Sequence, residues 1–125
     1  MKKWLCLAVV AAVGVGGHVV AADKAKYEIA QIMEKAHKGG PNSLRNKVLA
    51  GKASKDELNS LVELYEELGK NTPPKGDKES WKKKTEAVVT AVKKVKADPD
   101  DKAARTALGK ATTCMACHEV HKGDD

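Results

Sequence analysis

Near the end of the chain, two cysteines and a histidine sit close together in Cys114-Met115-Ala116-Cys117-His118. Thiols three positions apart can each add to a vinyl group of one porphyrin, and the histidine that follows then reaches the iron from the same side. The spacing C-x-x-C-H therefore predicts one haem c per chain, linked through Cys114 and Cys117, with His118 as the proximal iron ligand. Zinc is a poorer reading, because only His121 lies near enough to add a ligand and the shell would stay short of four. A redox dithiol would sit beside a βαβ pattern, and no strand pattern is visible.

The second axial position of the iron decides the function. A methionine there gives six-coordinate iron with a raised potential, suited to electron transfer. An apolar residue leaves a five-coordinate iron that binds NO or CO. Met33 is the candidate distal ligand, because it lies on the inward stripe of the first helix and carries a soft, flexible thioether. His37, one turn on, is the competitor, but it sits at a helix C-terminus, where a histidine interacts well with the dipole and free carbonyls. Met115 is confined within the attachment loop, and His121 is expected to face solvent. A peroxidase would need an acid–base residue over the iron. Only His37 could serve, so no enzymatic reaction is expected.

Four helices are needed to position these groups. The first runs from about Asp23, its N-cap, to Lys38, with Ile29, Ile32, Met33 and Ala36 at i, i+3, i+4, i+7, and it stops at Gly39-Gly40-Pro41. Residues 41–54 form a connector in which Leu44, Val48 and Leu49 make a short helical turn over the core. The second helix opens with the capping box Ser54-x-x-Glu57, carries Leu58, Leu61, Val62, Tyr65 and Leu68 inward, and stops at Gly69. Its Asp56, Glu57, Glu63, Glu66 and Glu67 are read as solvated. The third spans about Lys78 to Ala97 with a Trp81, Thr85, Val88, Val92, Val95 seam and a lysine-crowded outer surface. The fourth is capped at Asp98, with Pro99 at N1, and continues through the cysteines to about His121. Ala104, Ala107, Leu108, Ala111, Cys114, Met115 and His118 share one face, whose small side chains leave room for a flat macrocycle.

Residues 1–22 read as a cleavable secretory signal: basic Met1-Lys2-Lys3, an uncharged and mostly small or apolar run, then Val20-Ala21-Ala22 before Asp23. Removing the first 22 of 125 residues leaves 103, enough for one domain. The net charge of +6 drops to +4 without Lys2 and Lys3. Export to the periplasm, or another space outside the cytoplasm, fits covalent haem. The lysine-rich surface suits redox partners with acidic docking surfaces. Nucleic acid is excluded as a partner, because basic and acidic residues interleave and only Tyr27, Tyr65 and Trp81 could stack bases. The 103 residues have no phenylalanine and few large core residues, so a buried porphyrin would supply the missing apolar bulk.

Four helices with C-x-x-C-H near the C-terminus resemble the class II c-type cytochromes, the cytochrome c′ and c-556 group. The resemblance covers residues 23–125 and implies an all-α, up-down four-helix bundle with covalent haem near its C-terminus. Cys114, Cys117 and His118 match the family's haem site, and Lys122 stands where a basic residue is usual. Trp81 resembles the tryptophan the family often places beside the haem. Met33 lies where the c-556 branch carries its methionine ligand. His121 departs from the aromatic residue common after the motif, and the second helix and its loops are shortened. The family includes dimers, and both monomer and homodimer stay open here.

Overall fold

A computed structural model describes residues 24–123, and every regular element among them is helical. The expected signal segment, with Asp23, lies outside the described residues. In order, the elements are α1 (Ile29–His37), α2 (Leu44–Leu49), α3 (Lys55–Lys70), α4 (Lys78–Ala97), α5 (Lys102–Ala111) and α6 (Cys114–His121), with a 3-10 turn at Gly40–Asn42 between α1 and α2. Among them, no helix is long and apolar enough to cross a membrane.

The first helix begins later than its periodicity predicts. Glu28 is the N-cap, in a capping box with Gln31, whose Oε1 accepts from the Glu28 N–H at 3.0 Å. The preceding residues spend their backbone groups on α3 instead of on a helix. The Lys26 N–H is donated to the Glu67 carboxylate, and Asn71 Nδ2 donates to the Tyr27 carbonyl at 2.9 Å. That bond takes Glu67 out of solvent, contrary to expectation. It is 6 % exposed, and the Lys70 ammonium beside it holds its carboxyl below the usual range.

The expected connector turn is α2, capped by Ser43, with Val48 buried. The predicted capping box of α3 is present, and Leu58, Leu61, Val62, Tyr65 and Leu68 are all buried, joined by Leu64. Gly69 does not stop this helix, which continues to Lys70. A Cβ there would lie 3.6 Å from Thr85 Oγ1, so the glycine sits where α3 and α4 pack closely. The predicted seam of α4 is buried throughout, and Asp77 caps the helix by accepting from the Ser80 N–H at 2.9 Å.

The last predicted helix is divided. Asp98 does not cap it: its carboxylate accepts from the Asp100 N–H in a turn, and Asp101 caps α5 by accepting from the Ala103 N–H. The helix then ends at Ala111. Thr112 Oγ1 donates back to the Leu108 carbonyl at 2.7 Å and Thr113 Oγ1 to the Lys110 carbonyl at 3.0 Å, so side chains compete with the backbone for the last acceptors of α5. The single face expected from Ala104 to His118 is consequently split. Ala104 and Leu108 are buried, whereas Ala107 and Met115 are exposed.

Packing runs from α1 to α3, α3 to α4 and α4 to α5, with α2 touching α1, α3 and α5. One apolar core joins them, centred on Ile32, Ala36, Leu61, Tyr65, Val92, Val95 and Leu108.

Candidate functional site

A cavity of about 1020 Å³ opens among α1, the end of α3, the start of α4 and α6. Met33 and His37 line it from α1, Tyr65 and Leu68 from α3, and Trp81 and Val88 from α4. Ala111, Cys114, Cys117, His118 and His121 close the remaining side. Every site residue predicted from the sequence therefore borders one space.

The residues differ in how they are held. Cys114 is exposed, and Cys117 is half-buried, its thiol pushed up by burial against the opposing pull of Lys84. His118 is exposed on the cavity side of α6. Lys84 donates to the Ala116 carbonyl, tying α4 to the first turn of α6 between the two cysteines. Met33 is half-buried and packs against the core. Trp81 is buried, with its Nε1–H donated to the Asn71 carbonyl at 2.9 Å, so the indole is fixed as part of the wall.

His37 is the last residue of α1, at the helix C-terminus as expected, but its ring turns to Tyr65 rather than to the helix-end carbonyls. Its Nε2 is 3.1 Å from the Tyr65 hydroxyl, and the two rings meet edge to face. Burial pulls its pKa down to about 4, helped by the positive charge of Arg45, so the imidazole is neutral at pH 7. Burial likewise pushes the Tyr65 phenol up. The pair is a neutral, hydrogen-bonded feature of the wall, and Tyr65 occupies the nitrogen that would otherwise reach furthest from the ring.

His121 is the second correction. It is 1 % exposed rather than solvent-facing. Its Nδ1 is 3.0 Å from the Lys75 carbonyl, which can only accept, so Nδ1 carries the hydrogen and Nε2 accepts from Ser80 Oγ at 3.2 Å. Its ring stands edge-on to Trp81, with centroids 5.3 Å apart. Both nitrogens are used, so His121 fastens the end of α6 to the loop before α4. Gly76 makes that approach possible. Its φ is +89°, and a Cβ would fall 2.7 Å from both His121 Nδ1 and the Val120 carbonyl. The position of His121 four residues after Cys117 was the available signal, since that spacing puts both on one side of a helix.

Arg45 was not anticipated. From α2 it donates through Nε to Thr112 Oγ1 at 2.7 Å and through Nη2 to the Gly109 carbonyl at 3.3 Å, pinning the chain where α5 gives way to α6. No spacing rule in the sequence links positions 45 and 112.

Compared with protein-family models, curated proteins and solved structures, the chain finds no match. The site is therefore read from its own chemistry. Among the described residues, no three His, Cys, Asp or Glu side chains come together as a metal-holding group. A zinc-type site needs such a cluster. A metal that arrives inside a macrocycle brings four in-plane donors with it and asks the protein for axial ligands only.

Proposed function

We propose that the cavity holds one haem c, linked through Cys114 and Cys117, and that the protein carries single electrons between redox partners in the periplasm. His118 is the proximal iron ligand and Met33 the distal one. The observation that carries this reading is that Met33 of α1 lines the same cavity as Cys114, Cys117 and His118 of α6. The volume supports it as well, since pockets for large organic ligands run to about 1,000 Å³. Bound haem supplies a one-electron iron couple. The chain's part is to hold and shield it. The Trp81 indole, Tyr65 and Val88 keep water from the apolar side, Lys84 and His121 hold α6 in place, and Met33 offers a soft sulfur from the α1 wall.

In this reading α1, α3, α4 and the broken α5–α6 segment are the four members of an up-down bundle like that of the class II cytochromes, with α2 as an insert. In this reading His37 stays in the cavity wall, its Nε2 beside the Tyr65 hydroxyl at 3.1 Å, and Met33 takes the distal position. No enzymatic reaction is assigned.

The experiment is an optical spectrum of ferric and ferrous protein, produced with haem-loading machinery, with and without CO. Low-spin iron that ignores CO, becoming high-spin and CO-binding in Met33→Ala, is expected. A native protein that is already high-spin and takes up CO would replace electron transfer with binding of small gases. A colourless protein would refute the proposal.

A further inference from the structure

Most lysines and arginines of this chain are exposed, where water and salt screen them. Among the described residues, only Arg45, Lys47, Lys84 and Arg105 are half-buried cations of these types. Lys47 pairs with Glu57 at 3.0 Å, and Arg105 lies against Gly51 and borders a separate groove on α5. Arg45 and Lys84 are left, and neither meets a carboxylate among the described residues.

Both are held by neutral acceptors next to the haem-attachment motif. Arg45 Nε donates to Thr112 Oγ1 at 2.7 Å, Nη1 to Asn46 Oδ1 at 2.8 Å and Nη2 to the Gly109 carbonyl at 3.3 Å. Thr112 belongs to the cavity wall, two residues before Cys114. The Arg45 charge is felt by two more wall residues, where it disfavours a His37 cation and favours a Tyr65 anion. Lys84 acts from α4. It is donated to the Ala116 carbonyl, inside the motif, and its charge pulls the Cys117 thiol toward ionisation. Neutral acceptors fix the two side chains without cancelling their charges. A cation drawn partly out of water with no counter-charge is costly, so the fold maintains positive potential at the α5–α6 junction and at the first turn of α6.

We propose that Arg45 and Lys84 set the reduction potential of the bound haem, as two fixed positive charges that favour its reduced form. The inference rests on the electron-carrying reading above and deepens it. Ferric haem carries one more positive charge than ferrous haem, so a cation held nearby disfavours the oxidised state and raises the potential. Half-buried charges are also screened less than exposed lysines.

The test is a spectroelectrochemical titration of the holoprotein at pH 7. Arg45→Gln and Lys84→Gln should each lower the equilibrium constant for reduction about fivefold, and the double variant about 25-fold, where a tenfold change is about 59 mV. Arg45→Lys and Lys84→Arg keep the charge but alter the hydrogen bonds, and should stay within about twofold of the wild type. Lys84→Glu should move about twice as far as Lys84→Gln in millivolts, and this series decides the matter where Arg45→Gln fails to fold. Lys78→Gln and Lys94→Gln remove exposed charges from α4 and should also stay within about twofold. Charge-keeping variants that move as far as the glutamine ones would make both residues structural props. Exposed-lysine variants that move as far would make net charge the cause. Either result, or no movement in any variant, overturns the proposal. The visible spectrum of the same sample reports haem separately: a red protein whose potential ignores both positions refutes this inference alone, and a colourless one refutes the haem reading.

Discussion

The pair formed by His37 and Tyr65 makes stability depend on pH in a window where few other groups act. His37 has a pKa of about 4 in the folded protein, because burial and the Arg45 charge disfavour its cation. In the unfolded chain it returns to about 6.5. Between these values the unfolded state binds more protons, so stability is complete above pH 6.5 and falls as pH drops toward 4. The full gap corresponds to about 3 kcal/mol at 1.36 kcal/mol per unit, and acidification from pH 7 to 4.5 should remove about 2 kcal/mol from a half-buried group. Displacing water from the cavity pushes the same way. The assay is guanidinium unfolding of the holoprotein at pH 7, 5.5 and 4.5, followed by circular dichroism, for the wild type and His37→Gln. Glutamine can still bond to Tyr65 but does not titrate, so the difference between the two curves isolates the histidine from the carboxylates. A wild type that loses about 2 kcal/mol more than the variant is expected. Parallel curves would refute the buried, neutral histidine.

Two further perturbations probe how α6 is held. His121→Ala removes two hydrogen bonds and a ring packed on Trp81, and should cost about 3 kcal/mol, read as a lower denaturation midpoint. A loss below 1 kcal/mol, the worth of a single bond, would show that the ring is not an anchor. Gly76→Ala forces a side chain into left-handed backbone and against the Val120 carbonyl, for a cost of about 2 kcal/mol. Hydrogen exchange should show α6 amides losing protection before those of α3 and α4, and uniform loss along the chain would contradict a local clasp.

Much of this molecule was legible because short-range rules governed it. The Ser54–Glu57 box, the α3 stripe and the α4 seam depend on residues three or four apart, and all three are present as read. Three of the misreadings share a cause, which is contact at long sequence separation. Glu67 looks solvated until the Lys26 N–H, 41 residues away, is seen to need an acceptor. His121 looks exposed until Ser80 and the Lys75 carbonyl claim its nitrogens. The start of α1 moved because Tyr27 and Lys26 spend their backbone groups on α3. Meeting of the candidate residues was foreseeable in part. Cys114, Cys117 and His118 are adjacent in sequence, but Met33 and Trp81 share their cavity only because of how the helices pack.

The break at Thr112–Thr113 bears most on function and was least visible. In an unbroken helix the cysteines would follow the rotation that buries Ala104 and Leu108, and their direction would be fixed by the core. The interruption frees them from it. The bonds by which Thr112 and Thr113 return to α5 carbonyls end that helix, and Arg45 ties the junction to α2. From the other end His121, Trp81 and Gly76 bind α6 to the loop before α4. Held at both ends, α6 can present Cys114, Cys117 and His118 to the cavity while α5 keeps its own packing on α4. A short helix of eight residues has little stability of its own, so its placement comes from these anchors and not from propensity. This explains why a polar residue like His121 is buried completely in a chain so poor in large apolar side chains: its two hydrogen bonds fix a direction, which an apolar side chain of the same size would not do.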